Sequence, residues 1–342
     1  MTVTVDVERG SDFARLCQQV RRTGLLERRP GYYAVRFALV AALYLGGWAA
    51  FAAIGDSWWQ LAVGAVLAIA FAQVALVAHD LAHKQVFRGR RVSEICGMIA
   101  GNIGIGMSYG WWMNKHTRHH ANPNHEGEDP DVSPDILVWS ERQAAQARGV
   151  ARVIGRWQAF LFFPLLLLEG FNLHVASARA IPTVKRRWLE GSLLYGHFAG
   201  YLVLVFTMLS PGKAVAFIAI HQCLFGLYLG CTFAPNHKGM PTLTDEDDLD
   251  YLRRQVLTAR NVRGGRWLDI LLGGLNYQIE HHLFPNMPTP HLRLVQPMVQ
   301  RYCEENGVSY MSCGFVQSYA QALRHLHHVG ASLRQRKSAI SG

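Results

Sequence analysis

Residues 111–131, WWMNKHTRHHANPNHEGEDPD, hold four histidines within ten positions and then run into asparagines and acids. Three of them, His116, His119 and His120, have the spacings of three and four that put side chains on one face of a helix. The stretch HDLAH sets His79 and His83 four apart, where helical side chains lie about 5 to 6 Å from each other. Far downstream, QIEHH repeats the pattern with an amide in the first place: Gln278, His281, His282. His237, in APNHKG, is a further candidate. A single pair of this kind is ordinarily a solvated histidine or one satisfied in a core; several clusters on one side of a membrane are ligand chemistry. These eight imidazoles exceed the three or four protein ligands that one zinc takes, so the count calls for two metals. Imidazole alone leaves iron, copper, nickel and zinc open.

The elements that must position these side chains follow from hydropathy. Half of the 342 residues are hydrophobic, and uncharged runs at 37–55, 58–78, 191–210 and 214–236 each approach the ~20 residues a helix needs to cross hydrocarbon. The expected fold is therefore an all-α integral membrane protein with four transmembrane helices, at about 35–55, 58–78, 191–210 and 214–235. Two other apolar stretches are read as not spanning. Residues 95–113 carry five glycines, and 157–168 are short, with Pro164 inside, which suits an interfacial or re-entrant element. Parity agrees: a crossing at 95–113 would put the histidines before and after it on opposite faces. The fourth span is expected to finish near Pro235, whose ring disfavours helix continuation, so that Asn236 and His237 emerge where the other clusters converge.

Charge sets the orientation. The two short connections, near Asp56 and from Ser210 to Lys213, hold one of the 34 basic residues, so both termini and the long segments 79–190 and 237–342 are expected in the cytoplasm. Attraction to anionic headgroups accounts for the net charge of +10 without any nucleic-acid partner. The start has no basic region followed by an apolar core, so no cleavable signal is expected. The six cysteines form no CxxC pair and indicate neither a disulfide framework nor a thiolate metal site. Arginine outnumbers lysine 28 to 6, which hints at a GC-rich bacterial genome and hence an inner, cytoplasmic membrane.

A metal site at a membrane face, without a nucleophile triad, points to an apolar substrate. An unactivated methylene has no proton that a side-chain base could remove, whereas oxidation with dioxygen at iron would attack it. On these residues the chain resembles the membrane fatty-acid desaturases: HDLAH, HTRHH and QIEHHLFP occur in order, with WW before the second box and NPNHEGEDPD after it, across about residues 35–300. The glutamine in the third box marks the branch with front-end and bacterial acyl desaturases. The resemblance implies a cytoplasmic helical cap over four spans, two iron ions held by His79, His83, His116, His119, His120, His237, His281 and His282, and removal of two hydrogens from a long acyl chain. It also implies that Asn236 contacts iron through water and that Gln278 stands where related branches have histidine. No HPGG haem motif is present, and the 34-residue N-terminal segment is too short for a fused cytochrome b5 domain, so electrons should come from a separate ferredoxin, flavoprotein or reductase. Residues 301–342 are expected to form a C-terminal helix and a basic tail.

Around the ligands, Asp80, Glu280 and His125, with Asn122, Asn124, Asp129 and Asp131, are candidates to orient imidazoles. Trp111, Trp112, Phe160, Phe162 and Phe163 are candidates to line an acyl channel, or else to anchor at the interface. RHLHH at 324–328 has spacing that suits neither helical face, and His197 and His221, inside spans, should hydrogen-bond neighbouring helices. A hydroxylase, acetylenase or carotenoid oxygenase would use similar boxes. A metal transporter, the reading from another class, would put its ligands near the middle of the spans.

Overall fold

The structure, a computed structural model, describes residues 11–335. Ser11 caps the first helix, α1 (Asp12–Arg22), by accepting from the Ala14 N–H. Pro30 then opens α2 (Pro30–Ile54), and a short turn leads to α3 (Gln60–Ala82). After α4 (Arg90–Met98) a π-helical turn, Ile99–Gly104, precedes α5 (Tyr109–Ala121). Next come α6 (Glu141–Gln146), α7 (Gly149–Leu166), α8 (Glu169–Ala180), α9 (Arg187–Met208) and α10 (Pro211–His237). The remainder is α11 (Tyr251–Leu257), β1 (Asn261–Arg263), α12 (Gly265–Leu271), α13 (Gln278–Leu283), α14 (Thr289–Glu305), β2 (Ser312–Gly314), α15 (Phe315–Val329) and α16 (Ala331–Gln335).

Among the described residues the four helices α2, α3, α9 and α10 are each long and apolar enough to cross a membrane. α3 and α10 are central, and their mutual contact is the most extensive between any two elements of the described residues. α7 and α8 also pass that test together but bend by 84° at the break between them, as a broken span or a re-entrant loop does. Glycines let this pair meet α10: a Cβ on Gly226 would lie 2.2 Å from the Gly170 nitrogen, so only bare backbone fits at the crossing.

Three details refine the expected picture. First, α10 does not stop at Pro235 but runs through His237. Proline removes the N–H that would bond the Cys231 carbonyl, and the Tyr319 hydroxyl donates to that carbonyl instead, at 2.7 Å. Second, the chain is mostly helical, as expected of an all-α protein, and adds one short parallel pair, β1 with β2, in which Val262 lies opposite Cys313. Third, residues 301–335 hold the end of α14, β2, α15 and α16 rather than one helix; the expected basic tail at 336–342 lies outside the described residues.

The glycine-rich stretch explains the intramembrane histidines. Where the π turn ends, backbone carbonyls lose their helical partners, and in an apolar setting each needs another donor. Tyr44 donates to Gly104 O at 2.8 Å, His197 Nδ1 bonds Ile103 O at 2.6 Å, and His174 Nδ1 bonds Gly106 O at 2.8 Å while its Nε2 faces Gln222. Gly106 has φ +66°, and a Cβ there would meet the His197 ring at 2.6 Å. His221 bonds the Tyr201 hydroxyl. These side chains hold a broken helix in place.

Over the end of α3 and α10 lies a layer built from α1, α5, α11, α13 and α14. Its core is Leu16, Val20, Leu252, Val256, Ile279, Leu283 and the buried face of α14. α5 is held at its start by Ser108, which accepts from Trp111 N, and by buried Glu190, which accepts from Ser108 Oγ at 2.8 Å and from Gly110 N at 2.9 Å. A carboxylate at a helix N-terminus is favoured both by the free N–H groups and by the macrodipole.

Candidate metal centre

His79 sits in the last turn of α3 and His83 caps it; α5 carries His116, His119 and His120; His237 ends α10; α13 carries His281 and His282. The fold brings all eight together in two groups. The ligand atoms of His79, His83, His116, His120 and His281 lie within 4.8 Å of one another, as do those of His119, His237 and His282. The rings of His120 and His282 stack at 4.3 Å where the groups adjoin. Opposite ligands on one ion with bonds of about 2.1 Å are separated by about 4.2 Å, so each group has the dimensions of a single-ion site.

The orienting contacts make the fit specific. His119 Nδ1 meets Asp129 Oδ2 at 2.9 Å, with Asp131 at 3.5 Å; His237 Nδ1 meets Thr258 O at 3.0 Å; His282 Nδ1 meets Gln255 Oε1 at 2.8 Å. Each of these acceptors calls for a proton on Nδ1, which leaves Nε2 as a lone-pair donor turned toward the group. Buried nitrogens stand without a hydrogen-bond partner: Nε2 of His79 and His282, and Nδ1 of His120 and His281. His83 and His116 face each other Nε2 to Nε2 at 2.6 Å, and His120 and His281 do so at 3.1 Å. Orphaned buried nitrogens and facing lone pairs are costly. A cation among the Nε2 atoms takes up the facing lone pairs and the orphaned Nε2 of His79 and His282.

Electrostatics favour the neutral, ligating form. Burial first, and then the neighbouring imidazoles, hold His83, His116, His120, His281 and His282 far below the usual imidazole range. His119 is the exception: burial works against its charge, but the bond to Asp129 and the nearby Asp131 outweigh it and raise the ring's pKa. Asp131 in turn is held well below the usual carboxylate range, since Lys115, His119 and Lys238 outweigh its burial.

The other candidates divide. Asn236 donates through Nδ2 to Thr232 O, Leu275 O and Gln278 Oε1, and its Oδ1 is buried without a partner. Gln278 Nε2 lies 2.9 Å from His237 Nε2. Asp80 approaches His79 Nδ1 at 3.7 Å and is itself held by Arg36 at 2.7 Å and Thr289 at 3.2 Å. Glu280 bonds Asn261 and Tyr310 and no imidazole; burial raises its pKa to about 7 against those two bonds. His125 stays apart from both groups, its Nε2 3.6 Å from Asp245, because its backbone is drawn into a bridge with Leu243. His325 bonds Trp139 O and His328 pairs with Glu141, so RHLHH joins neither group. Gln255 and Thr258, on and just after α11, were not singled out from sequence; an amide and a main-chain carbonyl in a segment without a motif leave no signal.

A cavity of about 430 Å³ opens beside the groups, with His79, His116, His119 and His237 on its wall. Its apolar part is formed by Ala75, Ile105, Leu173 and Leu229, and Trp111, Trp112 and Phe162 line it. Phe160 and Phe163 do not, which corrects their assignment: they lie three apart on the outer face of α7, 67% and 39% exposed, while Phe162 turns inward. Trp112 stacks on His116 at 4.4 Å, tying cavity wall to ligand. Lys115, Asp131 and Lys238 make a polar end to the same cavity.

Helices long and apolar enough to span a membrane, with eight imidazoles gathered in two groups that could each hold a metal ion beside a largely apolar cavity, define a helical protein of membrane type with a candidate metal site. Residues 56–314 match the family model "Fatty acid desaturase". The chain is 28% identical over 350 residues to an acyl-lipid (9-3)-desaturase of Physcomitrium patens, covering 96% of this chain and 65% of that protein. It is 26% identical to a Delta(5) fatty acid desaturase of Caenorhabditis elegans, covering 95% of this chain and 75% of the relative, and 28% identical to fatty acid desaturase 3 of Bos taurus, covering 93% and 73%. The chain belongs to the fatty acid desaturase family.

Proposed function

We propose that this protein is an oxygen-dependent fatty acyl desaturase that puts a double bond into a long acyl chain. One observation carries the reading: four of the eight gathered imidazoles form part of the wall of the apolar cavity, so a bound chain lies against the metal groups. Two irons held by the groups of five and three histidines would supply the activation of dioxygen and the abstraction of hydrogen. The overall change is CH2–CH2 plus O2, two electrons and two protons giving CH=CH and two waters.

The protein's own residues do the rest. Ala75, Ile105, Leu173 and Leu229 bind the chain and exclude water from it. Asp129, Thr258 and Gln255 keep His119, His237 and His282 turned inward. The unpartnered Asn236 Oδ1 can hold a water beside the smaller group. A ferredoxin or flavoprotein with its reductase would supply the electrons as an external donor. We assign the desaturase domain to residues 35–300, between an N-terminal segment and a C-terminal one. The basic residues support a cytoplasmic metal face and cytoplasmic termini. The arginine bias supports a bacterial inner membrane; it stands on composition alone, beside eukaryotic relatives.

The test is expression in a host that lacks the product, with and without a matched ferredoxin and reductase, followed by lipid profiling. A new unsaturated acyl chain that needs both air and the redox partners is expected. Product formed under strict anaerobiosis would overturn the mechanism, and a hydroxylated product would move the protein to the related hydroxylases.

A further inference from the structure

Arg260 has 0% of its surface exposed, and no carboxylate pairs with it among the described residues. A buried cation without a counter-ion is expensive unless dipoles surround it. Here they are the carbonyls at the end of a 27-residue helix, where the macrodipole is negative. Arg260 Nε donates to Pro235 O at 2.6 Å, its main-chain N–H donates to Asn236 O at 2.9 Å, and Nη2 donates to Lys238 O. Of the last four carbonyls of α10, the Lys238 N–H meets that of Ala234, Arg260 meets those of Pro235 and Asn236, and Asn124 Nδ2 and the Met240 N–H meet that of His237; Arg260 also takes the carbonyl of the capping residue Lys238. The same guanidinium reaches α15, where Nε meets Ser318 Oγ at 3.1 Å and Nη1 meets Gln321 Oε1 at 2.8 Å. Ser318 also donates to Pro235 O, and Tyr319 to the Cys231 carbonyl that the proline leaves free.

We infer that Arg260 is a positioning residue for the three-histidine group, clamping the end of α10 so that Asn236 and His237 face the site and recruiting α15 as part of the clamp. The inference rests on the two-ion reading of the site. It has two consequences: α15 lies beyond residue 314, where the family match ends, yet it completes the centre, and the clamp acts on one group only. Among the described residues the side-chain hydrogen bonds of Arg260 go to Pro235 and Lys238 at the end of α10, to Met240 and to α15, and none goes to α3, α5 or α13, which supply the five-histidine group.

The experiment is an anaerobic cobalt(II) titration of detergent-purified, metal-free full-length protein, with diethyl pyrocarbonate labelling of the same preparations read by mass spectrometry. The wild type should bind two ions. In Arg260→Gln one of the two should weaken by ~10 to 100-fold, the usual effect of losing a contact behind a ligand, while the other holds. Arg260→Lys keeps the charge without the planar fork and should fall between. The milder Ser318→Ala and Tyr319→Phe should shift the same ion by a smaller factor. In metal-free Arg260→Gln, His237 should become labelled while His281 stays protected. Equal weakening of both ions, or His237 as protected as in the wild type, overturns the clamp. A wild type that binds one ion overturns the two-ion reading instead, and the labelling of His237 then decides the clamp independently.

Discussion

Asp129 is where a single atom change should be felt most clearly at the metal groups. Its carboxylate is 0% exposed; Oδ2 accepts from His119 Nδ1 at 2.9 Å and from Asn124 N at 2.7 Å, and Oδ1 accepts from Asp131 N at 2.9 Å. In Asp129→Asn the amide nitrogen must replace one oxygen. On the Oδ2 side it would oppose two N–H groups and on the Oδ1 side one, so the amide should turn to keep His119 and lose the Asp131 bond. The His119 bond then drops from a charge-assisted value of about 1.5–3 kcal/mol to an ordinary one of about 0.5–1.5. The difference of about 1–1.5 kcal/mol corresponds to roughly tenfold weaker binding of one metal, at about 1.4 kcal/mol per decade. Asp131 Oδ2, 3.5 Å from the same nitrogen, limits the loss. Asp129→Ala removes all three bonds and should weaken that ion by ~10 to 100-fold and lower thermal stability, because each buried N–H left unmet costs about 1–3 kcal/mol. Cobalt(II) titration and thermal unfolding of the metal-free protein measure the two effects separately. An Asp129→Ala protein that binds both ions with unchanged affinity would refute the assignment of Asp129 as the residue that orients His119.

Three further outcomes are expected. His237→Ala should lose one metal equivalent and desaturation while still inserting in the membrane, whereas His327→Ala, in the RHLHH stretch outside both groups, should leave metal content and product intact; elemental analysis and product profiling decide. Ala75→Phe, which narrows the apolar part of the cavity, should keep both metals but favour shorter acyl chains, while Phe160→Ala on the outer face of α7 leaves the product spectrum unchanged; an unaltered chain-length profile in Ala75→Phe would detach the cavity from the substrate. Gly226→Ala forces a Cβ to within 2.2 Å of the Gly170 backbone and should destabilise the protein by about 1–3 kcal/mol or more, read as a fall in melting temperature.

The ligands were legible because their signal is local. A helix puts residues three and four apart on one face, so HDLAH and HTRHH announce donors before any tertiary contact is known, and four uncharged runs of about 20 residues place them at one face of a membrane. His237 could be found for a related reason, standing at the end of such a run. What stayed hidden depends on distant partners. Gln255, Thr258 and Arg260 lie on one short segment with no motif, and each acts on a residue about 21 to 27 positions away in sequence. Glu190 reads as one acid at the edge of a span, and only the fold shows it at the N-terminus of α5.

Pro235 shows the limit most sharply. Local chemistry says that its missing N–H and its ring end a helix, and on local terms the expectation was sound. The helix continues because an element 80 residues further along the chain supplies the absent donor through Tyr319, and Arg260 takes up the carbonyls beyond it. The two extra residues gained in this way are Asn236 and His237, the pair that faces the smaller histidine group. A proline in that place leaves one carbonyl free, and the free carbonyl gives α15 a point at which to dock. The same substitution that weakens the helix thereby ties the C-terminal segment to the metal centre. It follows that Pro235→Ala, although it restores a helical N–H, should loosen α15 rather than strengthen the site. Faster proteolysis after residue 314, with the larger histidine group still able to bind its ion, is the expected result; unchanged proteolysis would mean that α15 is held without the Tyr319 contact.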